Sequence, residues 1–205
     1  MQLTGVILDS ESYKLKNEQL IGLLPFGEKT IIEKQVSEMK KICDEVILVT
    51  NDPYVYLPLF GNSIRIITDY YRGAGTLSGM HAALSLSKNQ SLWLATSNMP
   101  FLNSEVMVEM MNVKNNTTDV QIVIPGLSGD LQLYHSLYDR SCLKLTQQLI
   151  DEENHSLMKI IERASFKVIN LHESHATIDT IDFSYRIKNE DDYDRALQLN
   201  INHAY

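Results

Sequence analysis

Short apolar runs alternate along this chain with stretches in which apolar residues recur every three or four positions, the rhythm of strands followed by amphipathic helices. The run from Ser91 to Leu102 is the most informative, because it breaks off at Asn98, with a proline at position 100. It predicts a buried parallel strand ending at Asn98. Ligand crevices in such sheets lie beyond the carboxyl ends of the strands, which places Thr96, Ser97 and Asn98 where a substrate would be handled.

The remaining elements follow in order. Leu3 to Leu8 reads as a strand, and Asp9 to Gln19 as a polar loop without hydrophobic periodicity. Thr30 with Glu33 forms a capping box ahead of Ile32, Val36, Met39 and Cys43, an amphipathic helix. Glu45 to Thr50 is the next strand, followed by Asn51 and a proline-containing loop, and Ser63 to Thr68 is another, ending at Asp69. Gly73, Gly75 and Gly79 punctuate a loop that runs into a helix bearing Leu77, Met80 and Leu84; these glycines either admit a flat ligand close to the backbone or make a tight turn. Ser104 is positioned to cap a helix whose stripe is Val106, Met107, Met110 and Met111, methionines suited to filling core space.

Val120 to Pro125 and Leu131 to Tyr138 read as an antiparallel pair about the turn Gly126 to Asp130. Helices are expected at Cys142 to Ile150 and, after Ser156, through Leu157, Ile160, Ile161 and Ala164. Lys167 to Leu171 and Ile181 to Arg186 read as late strands, and Asn189 caps an acidic first turn leading to Tyr193, Ala196 and Leu197. The alternation predicts an α/β fold with a mainly parallel sheet, and no repeat or linker divides positions 1–205 into more than one domain.

Composition narrows the function classes. Eighteen basic against 26 acidic residues give a formal charge of -8, which opposes sequence-wide binding of a phosphate backbone and argues against nucleic acid as a partner. Cys43 and Cys142 are too few and too far apart for a disulfide framework and sit among apolar neighbours, consistent with buried thiols in a reducing compartment. The amino terminus has no positive region leading into an apolar core, and no apolar run approaches the ~20 residues of a membrane span, so a cytoplasmic protein without membrane association is expected. There is no Walker loop and no serine-centred nucleophile motif.

Several segments, in order, resemble the molybdenum cofactor guanylyltransferase family between Leu3 and about Asp192. They are Leu3-Thr4-Gly5-Val6-Ile7-Leu8, Leu23-Leu24-Pro25-Phe26-Gly27-Glu28-Lys29-Thr30, Cys43-Asp44-Glu45-Val46, Asn51-Asp52-Pro53, Gly73 through Ala82, and His135-Ser136-Leu137-Tyr138 before Arg140. The resemblance implies a three-layer nucleotidyltransferase-like fold with a late antiparallel insertion, acting with magnesium to join the guanylyl part of GTP to molybdopterin with release of pyrophosphate. By family position, Leu8 with the loop after it, Asn51 and Asp69 border the nucleotide, Gly75, Leu77 and Gly79 lie near the base, and Asn98 stands where the family has a metal-binding carboxylate.

Four departures converge on one chemical centre. Asn98 replaces the metal carboxylate. The glycine-rich phosphate loop becomes Asp9-Ser10-Glu11-Ser12-Tyr13-Lys14-Leu15-Lys16-Asn17, in which Asp9 and Glu11 direct negative charge towards a triphosphate and Lys14 and Lys16 are candidate compensators. The family lysine before the Leu-Leu pair falls near Leu20 or Ile21, and a late Asn-rich segment appears as Arg186-Ile187-Lys188-Asn189-Glu190. Phosphoryl transfer rests on positioning and charge neutralisation, so these changes imply weak or absent transfer in a chain that keeps the scaffold. A rebuilt active site and a non-catalytic protein that binds a cofactor-maturation partner are the alternatives. Gln132 and His135, with His81, are candidate pterin contacts, and His172 with His175 have a spacing seen in metal sites without a third ligand.

Overall fold

In the computed structural model, residues 2–9, 14–15, 18–71, 73–127, 129–170 and 182–202 are described. The chain opens with β1 (Leu3–Asp9), every residue of it buried. A 3-10 turn at Ile21–Leu23 and a small hairpin, β2 (Pro25–Phe26) with β3 (Lys29–Thr30), lead into α1 (Ile31–Met39). Helix α1 starts at the expected capping box: the Glu33 amide donates to Thr30 Oγ1, while Glu33 Oε2 accepts from the Thr30 amide at 2.8 Å.

Next come β4 (Glu45–Thr50), α2 (Pro53–Phe60), β5 (Arg65–Ile67), α3 (Gly75–Leu86) and β6 (Ser91–Thr96). Helix α2 corrects the expected proline-containing loop. Pro53 occupies its first turn, where a missing amide hydrogen is harmless. The cost of Pro58 inside the helix, about 3 kcal/mol, is offset by burial of Tyr56 and Phe60, one turn apart, at about 1.5 to 3 kcal/mol each. Strand β6 stops two residues before the expected end, so Ser97 and Asn98 lie just past it.

Helix α4 (Ser104–Asn115) is capped by Asn103, whose Oδ1 accepts from the Glu105 and Val106 amides at 2.8 and 3.1 Å; Ser104 is the first helical residue rather than the cap. Then follow β7 (Ile122–Leu127), β8 (Asp130–Leu131), β9 (Ser136–Asp139), α5 (Cys142–Asp151), α6 (Leu157–Arg163), β10 (Phe166–Asn170) and α7 (Glu190–Asn202). The expected strand Leu131 to Tyr138 is two short strands separated at His135, which takes a positive φ of 60°. The segment expected as a strand at Ile181 to Arg186 instead holds a 3-10 turn at Asp182–Ser184 and no strand among its described residues, whereas Asn189 does cap α7 by accepting from the Asp192 amide at 2.9 Å.

One eight-stranded sheet runs in the order β10, β7, β9, β6, β1, β4, β5, with β8 paired to β7. Strands β1, β4, β5 and β6 are mutually parallel, and β9 lies antiparallel to both β6 and β7, the antiparallel insertion. This is the mainly parallel α/β architecture expected. Alternation along β1 divides the core: Leu3 and Ile7 pack under α1, α2 and α4, while Val6 and Leu8 pack under α3, α5 and α6. Gly5 permits the close approach of α1, since a Cβ there would stand 2.6 Å from Met39 Sδ. After β5 the chain crosses to the other side of β1 to form β6, so the strand order reverses beside β1. The register sets Leu8 opposite Thr96 and Asp9 opposite Thr50, bringing three carboxyl ends to one edge.

Candidate functional site

The most unusual group at that edge is Asp9. Sequence alone places it in a polar loop exposed to ligand; the structure makes it the last residue of β1, only 4% exposed. Three hydroxyls close around its carboxylate: Ser97 Oγ donates to Oδ1 at 2.5 Å, and Tyr56 Oη and Thr50 Oγ1 donate to Oδ2 at 2.5 and 3.3 Å. Burial raises the Asp9 carboxyl above its ordinary range, the three hydroxyl bonds oppose the rise, and Asp52 adds to it. Asp9 is therefore not aimed as a free charge at a triphosphate but is consumed in tying β1 to α2 and to the turn after β6.

Asn98 is equally committed. It is 2% exposed, its Oδ1 accepts from Thr96 Oγ1 at 2.8 Å, and its Nδ2 donates to the Ile187 carbonyl at 2.7 Å. The Ile187 amide returns a bond to the Asn98 carbonyl at 2.9 Å. Beneath this turn Gln35 Nε2 donates to the carbonyls of Thr96 and Met99 at 2.8 and 2.7 Å. Magnesium takes hard, preferably anionic oxygens. Asn98 offers a neutral oxygen already accepting a hydroxyl, and both Asp9 oxygens are occupied, so these residues do not fit a magnesium ion held as in a carboxylate site. Among the described residues, no group of three or more His, Cys, Asp or Glu side chains is gathered for a metal.

Across the edge, two of the residues expected to border a nucleotide, Asn51 and Asp69, are brought together. Asn51 and Ser78 hydrogen-bond the Asp69 carboxyl, opposing a rise caused chiefly by burial, and Ser78 Oγ accepts from the Tyr71 amide at 2.9 Å. Gly75 begins α3 with φ 53°, a left-handed conformation suited to glycine, and no side chain caps the helix there. Leu8, Leu77 and Gly79 are buried, and the two leucine side chains belong to the core. Lys14 is an exposed residue paired with Glu18 at 3.2 Å, while Lys16 lies outside the described residues.

The pterin candidates do not converge. His135 is fully buried, accepts from Trp93 Nε1 at 3.3 Å through Nδ1, and packs against Phe183 with ring centroids 4.9 Å apart and planes tilted by 40°. Burial pushes it down to about 3, opposed by a backbone hydrogen bond to Asn103, so it is a neutral core histidine at neutral pH. Gln132 is half-buried and its carbonyl is taken by Ser136 Oγ. His81 packs edge-on against Tyr71, with centroids 5.0 Å apart, and hydrogen-bonds Gln147. His172 and His175 lie outside the described residues. Both cysteines are free, and burial pushes each thiol up to about 12, which removes them as nucleophiles at neutral pH.

Sequence reasoning missed Tyr56 and Gln35. Tyr56 sits in a stretch read as loop, and Gln35 is a polar residue on the buried face of α1; its place one position before Val36 in the apolar stripe was the available signal.

A family model described as MobA-like NTP transferase domain matches residues 22–168. A probable molybdenum cofactor guanylyltransferase of Clostridium perfringens is 30% identical over 148 residues, covering 72% of this chain and 71% of that one. Another from Carboxydothermus hydrogenoformans is 22% identical over 179 residues, covering 87% of each. Among solved structures, molybdopterin-guanine dinucleotide biosynthesis protein A from Archaeoglobus fulgidus superposes with a TM-score of 0.81 at 18% identity, over 97% of this chain and 99% of that one. A nucleotidyl transferase from Methanothermobacter superposes with a TM-score of 0.76 at 15% identity, over 98% and 99%. Together with the parallel sheet and its crowded carboxyl edge, these matches establish that the chain belongs to the molybdenum cofactor guanylyltransferase family.

Proposed function

We propose that this protein is a divergent guanylyltransferase-family member in molybdopterin guanine dinucleotide maturation, a single-domain cytoplasmic protein in which GTP-dependent transfer is weak or absent. The observation that carries this reading is Asn98: its amide hydrogens serve the Ile187 carbonyl and its oxygen serves Thr96. A neutral residue bound on both sides neither anchors a metal nor neutralises a developing phosphate charge.

The opposite half of the edge supports retained nucleotide binding. Asn51, Asp69 and Ser78 remain joined, with Gly75 opening α3 beside them. The chain thus keeps the groups that hold a base and has given up those that activate the phosphates. Its role is that of an accessory protein holding GTP or molybdopterin for a maturation partner. The partner-binding alternative draws on α2, whose Tyr54, Leu57 and Leu59 are exposed apolar side chains on a helix without a single charge.

Titration calorimetry with GTP, with and without magnesium, paired with a pyrophosphate-release assay, tests the reading. GTP binding that is indifferent to magnesium, with no pyrophosphate released when molybdopterin is supplied, is the expected result. Magnesium-dependent binding with steady pyrophosphate release would establish a working transferase instead. Binding of molybdopterin alone would indicate a cofactor carrier, and binding of neither small molecule would favour the partner-binding role.

A further inference from the structure

Arg186 is an exposed residue on the segment that crosses the carboxyl edge of the sheet. Its neighbour Ile187 is fixed there by the two hydrogen bonds with Asn98, at 2.7 and 2.9 Å, just past the end of β6. The Arg186 guanidinium lies over the ring of Tyr134, with Cζ 5.4 Å from the ring centroid. Among the described residues it forms no ion pair with a carboxylate. The two acids described at this edge are already engaged, Asp9 by three hydroxyls and Asp69 by Asn51 and Ser78.

Tyr134 is itself held from two sides. The amide of the next residue, His135, donates to the Leu94 carbonyl of β6 at 2.7 Å, and the Tyr134 hydroxyl is 3.1 Å from Thr76 Oγ1 in the first turn of α3. Strand β9 runs antiparallel to β6 and starts with Ser136 opposite Leu94, so Tyr134, just before it, lies at the carboxyl end of β6. Its half-buried ring packs against both core layers, the one under α1 and the one under α3. An unbroken line of contacts therefore runs from Thr76 through Tyr134 and Arg186 to Ile187 and Asn98. It joins the end of the edge bordered by α3 to the position where the family has a metal carboxylate, and it carries a guanidinium at its middle.

We propose that Arg186, braced on Tyr134, is the anion-binding group of this edge and takes a phosphate of the ligand held there, either the triphosphate of GTP or the phosphate monoester of molybdopterin. The inference rests on the reading that the edge holds one of these two ligands, and it adds the side chain that supplies positive charge where Asn98 supplies none. A guanidinium over an aromatic ring is attracted by the face of the ring, while its in-plane N–H groups stay free to meet two phosphate oxygens as a fork. Arginine keeps its charge throughout the physiological range and needs no metal to present it, in accord with binding that is indifferent to magnesium.

The test is calorimetric titration, without magnesium, of GTP, molybdopterin and guanosine into the unmodified chain and into Arg186→Gln, Arg186→Lys and Lys188→Gln variants checked for native circular dichroism. Guanosine carries the base without a phosphate, and Lys188→Gln removes a neighbouring exposed charge while leaving the guanidinium in place. At least one of the two phosphate-bearing ligands should bind Arg186→Gln about tenfold or more weakly, the loss expected for charge-assisted phosphate bonds. The same ligand should bind Arg186→Lys about threefold or more weakly, since an ammonium keeps the charge and loses the fork, and Lys188→Gln within about twofold of the unmodified chain. Guanosine should be indifferent to all three substitutions. A loss confined to GTP assigns Arg186 to the triphosphate, a loss confined to molybdopterin assigns it to the monoester, and both uphold the inference. Should Arg186→Gln not fold, Arg186→Lys carries the same comparison. Failure of both phosphate-bearing ligands to bind the unmodified chain would remove the reading of the edge as a ligand site, and the inference with it. Saturable binding that the Arg186 variants leave unchanged, an equal loss in Lys188→Gln, or an equal loss for guanosine would overturn the inference alone.

Discussion

Asn98 and Ile187 exchange two hydrogen bonds, the Asn98 amide to the Ile187 carbonyl at 2.7 Å and the Ile187 amide to the Asn98 carbonyl at 2.9 Å, across 89 positions of sequence. The contact pins the strand of chain entering α7 over the end of β6. It explains why a carboxamide stands at a position where a carboxylate would repel the Ile187 carbonyl.

Replacing Asn98 by aspartate should therefore destabilise the fold by about 2 to 3 kcal/mol at neutral pH, the loss of a buried bond plus an ill-placed charge. A carboxyl facing a carbonyl titrates higher folded than unfolded, so the deficit grows as pH rises past the ordinary aspartate range. It shrinks in acid, where the protonated group donates again. Urea midpoints at about pH 4 and pH 7 give the comparison. Robust pyrophosphate release by this single variant would contradict the account of the site, because it leaves Asp9 and the loop beyond it untouched.

Asp9 predicts a pH dependence of its own. Its folded value lies above the ordinary 3.8, so the unfolded chain ionises first on raising the pH. The contribution of the protonated form is full below 3.8 and declines as pH climbs from there through the raised folded value. Asp9→Asn should flatten the stability profile across that window. If the two profiles run parallel from acid to neutral, Asp9 is not shifted as its burial requires.

The Tyr56 hydroxyl is the principal link from α2 to that carboxylate. Tyr56→Phe should cost about 1 to 3 kcal/mol, because it leaves a buried acceptor short of a donor. The same substitution made on top of Asp9→Asn should cost measurably less, a coupling of about 1 kcal/mol or more in a double-mutant cycle. Additive losses would mean that the two side chains do not act together.

His135 behaves in the opposite sense from Asp9. Its imidazole falls from 6.5 to about 3 on folding, so the unfolded chain takes up a proton first as pH drops. The stability it contributes is present above 6.5 and is lost as pH falls from there towards 3. In a proton-carbon spectrum its ring signals should stay unchanged down to about pH 4. A midpoint near the ordinary histidine value would place His135 in contact with water.

Much of the scaffold was legible in the residues. The Thr30 and Glu33 pair forms its capping box, the apolar runs at Leu3 and Glu45 are strands, and the stripe from Val106 to Met111 is core. These are local signals, set by spacing within a few turns. Where reading failed, a distant partner had decided the matter. Helix α2 forms through burial of Tyr56 and Phe60, and the strand expected at Leu131 to Tyr138 breaks where His135 turns in to meet Trp93 and Phe183.

The site divides in the same way. Sequence by itself determined the family, the mainly parallel sheet, and the substitution of a neutral amide for an acid at position 98, because those depend on residue types in collinear order. Only the tertiary structure decided that Asp9 is enclosed by Ser97, Tyr56 and Thr50, and that Asn98 closes on Ile187. The reason is physical: what a carboxylate or amide can do depends on which donors and acceptors reach it after folding, and those come from segments far away in the chain.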